Sequence, residues 1–482
     1  MSLLFIYFAF GWVIRAAMVP IVLRRQFAPG ASLGWLGIVS LHPYLGVALY
    51  MLVGESRLGP RRAQRHRDII EDSRDPARYP NRKQHETKPD PGAPYQPMII
   101  QAEKISGLPV LSDNDMQFFT DTDRFVDDLI QAIASARKEV NLLYYIFAED
   151  ASAERVTNAM LNAAGRGVRC RLLADAIASR KIFRTNGLAS ELVAGGVQVA
   201  MALPVAPIRR RFARMDLRNH RKLAIIDGQT AFVGSHNLIN ADYGGRRGNP
   251  WHDLTAKFHG PIVGELAAVF AEDWAFENGE ELEVVYPDSS TLPSGENQAG
   301  GVVAQAVPTG PSTPAASYRR LLLAAIQTSR RQLIITTPYF VPDEPTLLAL
   351  VMAADRGVDV KLILPKRPDH FFTAAAGRAH FQMLLDAGLR IYLYEPGLIH
   401  SKTTTVDDAF ALFGSANLDV RSFSLNFELS LLLYGPDSTN RLRAIQNEYL
   451  QQSSPVDPAK WAKRNVVSVY TDRAISLLSP LL

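Results

Sequence analysis

The feature that most constrains how this chain can fold is an internal repeat. NHRKLAIIDGQTAFVGSHN (Asn219 to Asn237) and IHSKTTTVDDAFALFGSAN (Ile399 to Asn417) carry the same polar residues at the same spacing. His220, Lys222, Asp227, Gly234, Ser235 and Asn237 recur as His400, Lys402, Asp407, Gly414, Ser415 and Asn417, at a constant offset of 180 residues. The surroundings repeat as well. FVDDLIQAIASARKEV leads at helical period into the strand-like NLLYYIF, and YRRLLLAAIQTSRRQL leads likewise into IITTPYFVP. A second helix and strand follow in each half, ERVTNAMLNAAGRGVRCRLLAD and TLLALVMAADRGVDVKLILP. Strands alternating with helices predict βαβ units and a mixed sheet flanked by helices. The expected fold class is therefore α/β: two duplicated lobes about a pseudo-two-fold axis, with corresponding strands brought together.

At 482 residues the chain exceeds one ordinary domain, and its 47% apolar content suffices for large cores. Two apolar stretches open it, Leu3 to Leu23 and Ala31 to Val53. Each is long enough to cross roughly 30 Å of hydrocarbon as a helix. A cleavable signal peptide fits less well, because no Lys or Arg precedes the first stretch and a second follows at once. Arg15 and Pro20 interrupt the first stretch, and His42-Pro43 the second. An arginine at mid-bilayer costs about 3 kcal/mol unless it finds a partner. The expected order is a membrane hairpin over 1–54, a basic juxtamembrane tether over 55–96, a first lobe over 97–285, a linker over 286–314 and a second lobe over 315–482. Arg24 and Arg25 lie between the apolar stretches, whereas Arg57, Arg61, Arg62, Arg65, Arg67, Arg74 and Arg78 follow the second. The larger positive cluster belongs on the cytoplasmic side, which puts the lobes there, against anionic headgroups. The single cysteine, Cys170, excludes an intrachain disulfide and reads as a buried strand residue. A net charge of +4 does not suit a polyelectrolyte binder.

Residues i and i+2 of a strand share a face, so His220 and Lys222 project together, as do His400 and Lys402. Asp227 and Asp407 complete the two candidate catalytic sets by motif. They fall on the other parity, however, and Asp227-Gly228 is a hairpin-turn signal, which reads as structural. Ser235, Asn237, Ser415 and Asn417 follow a close-approach glycine and bring hydroxyls and amides towards the His-Lys pairs. One His-x-Lys alone reads as a satisfied core or surface histidine. Two matched sets read as a converging site for an anionic tetrahedral group, with phosphate as its natural occupant. No cluster has metal-ligand spacing, so neither a metal nor a cofactor is expected. Each half also carries a later acid: in WHDLTAKFHG and NFELSLLLYG, Asp253 and Glu428 stand seven residues before a glycine. Such an acid is either a solvated strand end or the group that holds a histidine's second nitrogen, and the second reading is favoured. The stretch PIRRRFARMDLRNHRK interleaves Arg209, Arg210, Arg211, Arg214 and Arg218 with apolar residues and suits contact with anionic headgroups better than a solvated basic face.

The paired motifs resemble the phospholipase D superfamily, whose signature is two copies of His-x-Lys-x4-Asp followed by Gly-Ser-x-Asn. The resemblance covers nearly all of the chain beyond the N-terminal apolar segment. YYIFAED, TPYFVPDE, RNHRKLAIIDG, FAEDW and GLIHSKTTTVD through RSFSLNFE look like bacterial cardiolipin synthases of the two-span membrane type. The halves differ where Trp251-His252-Asp253 stands opposite Asn426-Phe427-Glu428. The resemblance implies phosphatidyl transfer between two phosphatidylglycerol molecules, giving cardiolipin and glycerol through a covalent phosphatidyl-histidine. It makes His220 the nucleophile and His400 the acid/base, with Lys222, Lys402, Ser235, Asn237, Ser415 and Asn417 stabilising charge on the phosphorus. The implied partners are phosphatidylglycerol and anionic membrane lipids, not nucleic acid. The implied place is the inner cell membrane, multi-pass, with the catalytic domain facing the cytoplasm; no oligomeric state follows. A hydrolytic phospholipase D, or a transphosphatidylase with another acceptor, would use the same residues. A nuclease of the superfamily has little use for membrane spans, and a non-catalytic scaffold needs no paired histidines.

Overall fold

The computed structural model describes residues 3–24, 29–54, 58–75, 80–204, 217–243, 249–287, 301–313, 317–477 and 479. Arg25, Arg57, Arg78, Arg209, Arg210, Arg211 and Arg214 lie outside them, as do residues 244–248 and most of the 286–314 linker.

Fifteen strands form one mixed sheet, in the order Ser453–Pro455, Arg390–Tyr394, Asp359–Pro365, Gln332–Thr336, Thr403–Val406, Phe410–Gly414, Glu428–Tyr434, Val302–Thr309, Leu111–Phe119, Thr255–His259, Thr230–Gly234, Lys222–Ile226, Glu139–Tyr144, Arg169–Asp175 and Gln198–Ala202. Val302–Thr309 and Leu111–Phe119 pair antiparallel at its centre. Outward from that pair, each side meets an acid-linked strand, a strand ending at the motif glycine, a strand following the motif histidine, and then three mutually parallel strands. Parallel pairing requires crossovers, and the helices Ala151–Gly165 and Glu344–Asp355 supply equivalent ones. Asp150 and Asp343 cap them by accepting from the backbone N–H groups of Ala153 and Thr346, each at 3.2 Å. Gly167 and Gly357, at φ +88° and +84°, terminate them and turn the chain into the next strand.

The helix Ile262–Asn278 lies over the centre of the sheet. Its Leu266, Val269, Phe270 and Trp274 share one core with Leu111, Val302, Phe413 and Leu431, so the packing is continuous across the midline. Each such fully buried side chain contributes roughly 1.5–3 kcal/mol of transfer free energy. Cys170 is buried in its strand, as its sequence context suggests.

Two stretches differ from expectation. The segment after the apolar region is not a loose tether, because Pro60–Ser73 is a helix docked on Ile262–Asn278. Arg62 bonds both carboxylate oxygens of Glu277 at 3.0 Å, and Arg74 bonds those of Glu272 at 2.8 and 2.9 Å. His66 is buried, with its Nδ1 2.5 Å from Ser312 Oγ. Of the expected headgroup cluster, Arg61, Arg65 and Arg67 stay exposed. At the N-terminus, Phe5–Leu23 is the one stretch among the described residues that is helical, long and apolar enough to cross a membrane. The second apolar stretch is broken at His42 into the helices Pro29–Leu41 and Pro43–Leu49. Arg15 finds a partner there: its Nε donates to the Ser40 carbonyl at 2.9 Å.

Candidate active site

His220 and His400 open into one cavity of about 930 Å³. Each histidine just precedes an inner strand, and its backbone hooks onto the opposite half of the chain. His220 N donates to Phe427 O at 2.9 Å, and His400 N donates to His252 O at 2.8 Å. Phe427 and His252 immediately precede Glu428 and Asp253. These crossed contacts set up crossed side-chain pairs. His220 Nδ1 lies 2.9 and 3.0 Å from the Glu428 oxygens, and His400 Nδ1 lies 2.6 Å from Asp253 Oδ1. The histidine of each half is therefore oriented by the acid of the other. An ionised carboxylate accepts from Nδ1–H, which leaves Nε2 as the ring nitrogen free for chemistry.

Burial pushes both imidazoles well below their ordinary range, against the pull of Glu428 on His220 and of Asp253 on His400. The adjacent histidines and lysines hold Glu428 and Asp253 below the ordinary carboxylate range, against their own burial. These shifts favour ionised acids beside neutral imidazoles. Lys222 and Lys402 sit beneath, buried, each donating to the carbonyl of the histidine two residues earlier. Burial lowers the Lys222 ammonium well below its ordinary value and brings Lys402 down to about 8. Tyr145 packs edge-on against His220 with ring centres 4.7 Å apart, and Trp251 lies 4.3 Å from His400.

Asn237 and Asn417 line the cavity, but the serines beside them do not. The Ser235 hydroxyl donates to Asp253 and the Ser415 hydroxyl to Glu428, each at 2.5 Å. Each serine also accepts a backbone N–H, from Leu254 or Leu429, at 2.9 Å. Their hydroxyls thus bear on the acids, not on a ligand in the cavity. The preceding glycines make this approach possible, because a Cβ on Gly234 or Gly414 would overlap the carbonyl oxygen of Leu254 or Leu429. Asp227 and Asp407, expected from the motif to complete the catalytic sets, stand away from the cavity at the far ends of their strands, in left-handed backbone. Asp227 accepts the backbone N–H groups of Arg137, Lys138 and Glu139 at 2.7–2.9 Å, and Asp407 those of Arg330, Arg331 and Gln332 at 2.7–2.8 Å. Their carboxylates join a helix end to a strand start and do not face a substrate.

Arg218 and Arg421 also line the cavity. Repetition could not single them out, since the equivalent positions in the other half are Leu398 and Ala241. Behind His220, Arg221 is buried and bonds Asp273 at 2.7 Å and the Glu428 carbonyl at 3.1 Å, which fixes the strand that carries the acid. Among the described residues no group of three or more His, Cys, Asp or Glu could hold a metal ion.

A family profile described as "Cardiolipin synthase, PLD-like domain" matches residues 129–274 and 322–450. Cardiolipin synthase A of Yersinia pseudotuberculosis serotype O:1b (strain IP 31758) is 34% identical over 473 residues, spanning 98% of this chain and 97% of that protein. Cardiolipin synthase A of Edwardsiella ictaluri (strain 93-146) is 35% identical over 478 residues, with the same spans. The crystal structure of phosphatidylserine synthase from Haemophilus influenzae Rd KW20 matches 80% of this chain and 99% of its own, with a TM-score of 0.59 at 14% identity, a likeness of fold.

Proposed function

The chain belongs to the cardiolipin synthase family of the phospholipase D superfamily, and from that premise we propose how its residues carry out phosphatidyl transfer. It is a membrane-associated phosphatidyltransferase that makes cardiolipin, with phospholipid as substrate. His220 Nε2 attacks the phosphorus of one phosphatidylglycerol. His400, protonated, gives its Nε2 proton to the departing glycerol oxygen as the P–O bond breaks. A phosphatidyl group is then bonded to His220, and His400 is neutral. His400 next takes the proton from a hydroxyl of a second phosphatidylglycerol, that oxygen attacks the phosphorus, and the P–N bond breaks. Cardiolipin leaves and the starting protonation returns.

The crossed His–acid pairs around one cavity carry this reading. Before substrate binds, two lysines and two carboxylates surround neutral imidazoles. A phosphodiester brings one negative charge, which favours the ammonium form of Lys222 and Lys402 and a second proton, on Nε2, at His400. Glu428 stabilises the charge that His220 gains on attack, and Asp253 that on His400. Asn237 and Asn417 donate to the non-bridging oxygens. Ser235 and Ser415 act one step back, each holding the acid that holds a histidine. Arg218 and Arg421 draw anionic headgroups to the mouth.

The outward strand order supports two lobes, over 97–285 and 315–482, related by a pseudo-two-fold axis. The Arg15–Ser40 bond supports an N-terminal hairpin over 1–54. The exposed Arg61, Arg65 and Arg67 favour a catalytic body on the cytoplasmic face of the inner membrane.

Reconstitution in phosphatidylglycerol vesicles, with lipids followed by mass spectrometry, tests the reaction. Wild type should yield cardiolipin with equal glycerol, and His220→Ala should yield neither. Phosphatidic acid in place of cardiolipin would make water the acceptor and sink the transferase reading.

A further inference from the structure

Two apolar features at the lips of the cavity take no part in the transfer chemistry. The first follows the strand Asp359–Pro365. Asp369, His370 and Thr373 line the cavity there, while Phe371 and Phe372 between them are 59% and 56% exposed. The helix they begin, Phe371–Arg378, is covered by the C-terminal helix Val466–Ser476. Arg378 pairs with Asp472 at 2.9 Å, and Ile475 is buried with Ala375 and Ala376. Away from that docked face, Val466, Val467 and Tyr470 are 65–71% exposed, and Leu477 beyond them 81%. At 3.6 residues per turn, positions 466, 470 and 477 fall within about 40° of one another, and Asp472 and Ile475 lie on the opposite side.

The second feature is where the chain joins the body after its apolar N-terminal region. Leu58 is buried against Leu217 and Leu425. Their neighbours Arg218 and Asn426 line the cavity. The N-terminal region therefore meets the body at one lip, and the exposed phenylalanines stand at another.

We propose that the C-terminal helix Val466–Ser476, together with Phe371 and Phe372, docks on the lipid bilayer and seats the cavity mouth at headgroup level. Substrate phosphodiesters then reach the histidines while their acyl chains stay in the leaflet. This rests on reading the chain as a membrane-associated phosphatidyltransferase. Charge favours a bilayer over a protein partner. Between Pro458 and Leu477 the sole acid is Asp472, which faces inward onto Arg378 and Arg464, whereas Lys460 and Lys463 are exposed ahead of the stripe and Arg473 is exposed within it. An apolar face that carries cations and no exposed acid suits an anionic lipid surface, where a long arginine side chain reaches up to the headgroups.

The test places spin labels at Val467→Cys and Phe371→Cys in the full chain, whose native Cys170 is buried. In phosphatidylglycerol vesicles both labels should be reached by dissolved oxygen and shielded from an aqueous nickel chelate. Labels open to the chelate would overturn the proposal, as would labels in mutual contact between two copies, which would make the stripe a protein interface. In parallel, Val467→Glu with Tyr470→Glu should lower turnover about tenfold on vesicles and by less than about twofold on a short-chain phosphatidylglycerol dispersed as monomers. Equal loss on both substrates would overturn it. Inserted labels without lipid turnover would leave the docking surface standing and sink the transferase, and turnover with labels in water would do the reverse.

Discussion

The proposed transfer asks Glu428 and Asp253 to stabilise different things, although each bonds one histidine Nδ1. In the proposed mechanism Glu428 supports the nucleophile, and Asp253 supports the group that protonates the leaving oxygen. With phosphatidylglycerol, Glu428→Gln and Asp253→Asn should each lower kcat strongly, towards the roughly 10⁴-fold loss seen when a catalytic histidine loses its orienting carboxylate. A phosphatidyl ester of p-nitrophenol separates them, because that leaving group departs without a proton. The burst of p-nitrophenolate should return to within about tenfold of wild type in Asp253→Asn and remain slow in Glu428→Gln. The opposite pattern would assign the nucleophile to His400. At this scale the sequence named the histidines and lysines through repetition, but it gave the serines the wrong neighbour. Ser235 and Ser415 follow the motif glycines, and whether a hydroxyl there meets a ligand or a carboxylate depends on a strand that lies 18 or 13 residues further along the chain.

The helix Pro60–Ser73 shows why polar segments are hard to read element by element. Its arginines look like a cytoplasmic charge cluster, yet Arg62 and Arg74 meet acids 215 and 198 residues away. Those acids, Glu277 and Glu272, sit with Glu265 and Asp273 on a mostly apolar helix, and nothing local in the sequence says which cation meets which acid. Removing one member of a buried pair strands the other. Glu272→Ala should therefore destabilise by roughly 3–5 kcal/mol in thermal unfolding in detergent, whereas exposed Arg67→Ala should stay within about 0.5 kcal/mol. If Arg74→Ala with Glu272→Ala costs the full sum of the two singles, the pair is not coupled and the helix is not held this way. The second apolar stretch shows the complementary difficulty. Hydropathy ran through His42-Pro43, while the missing N–H of Pro43 divides the helix.

At the scale of the whole molecule, neither half contains a complete histidine–acid pair. The sheet also runs unbroken across the midline, because Val302–Thr309 pairs with both Glu428–Tyr434 and Leu111–Phe119. A protease site introduced between residues 288 and 300 should thus leave two cleaved pieces that co-migrate in gel filtration and still make cardiolipin. Pieces that separate, or a separated piece that stays active, would show that each half carries its own site.

What the sequence determined by itself was local or repetitive. The alternation of helix and strand, the glycines that stop the crossover helices, and the two His-Lys pairs all follow from the period of the backbone and from the side chains a few residues away. Even the presence of an orienting acid was legible, as one carboxylate per half at a matched distance from a glycine. Tertiary structure alone decided the exchange: His220 takes its acid from residue 428 and His400 from residue 253. Sequence spacing places each acid nearer its own half's motif. The exchange arises because Asn219-His220 pairs with Phe427, and Leu398-Ile399 with Trp251-His252, in two short parallel contacts separate from the main sheet that only packing the two halves together can create.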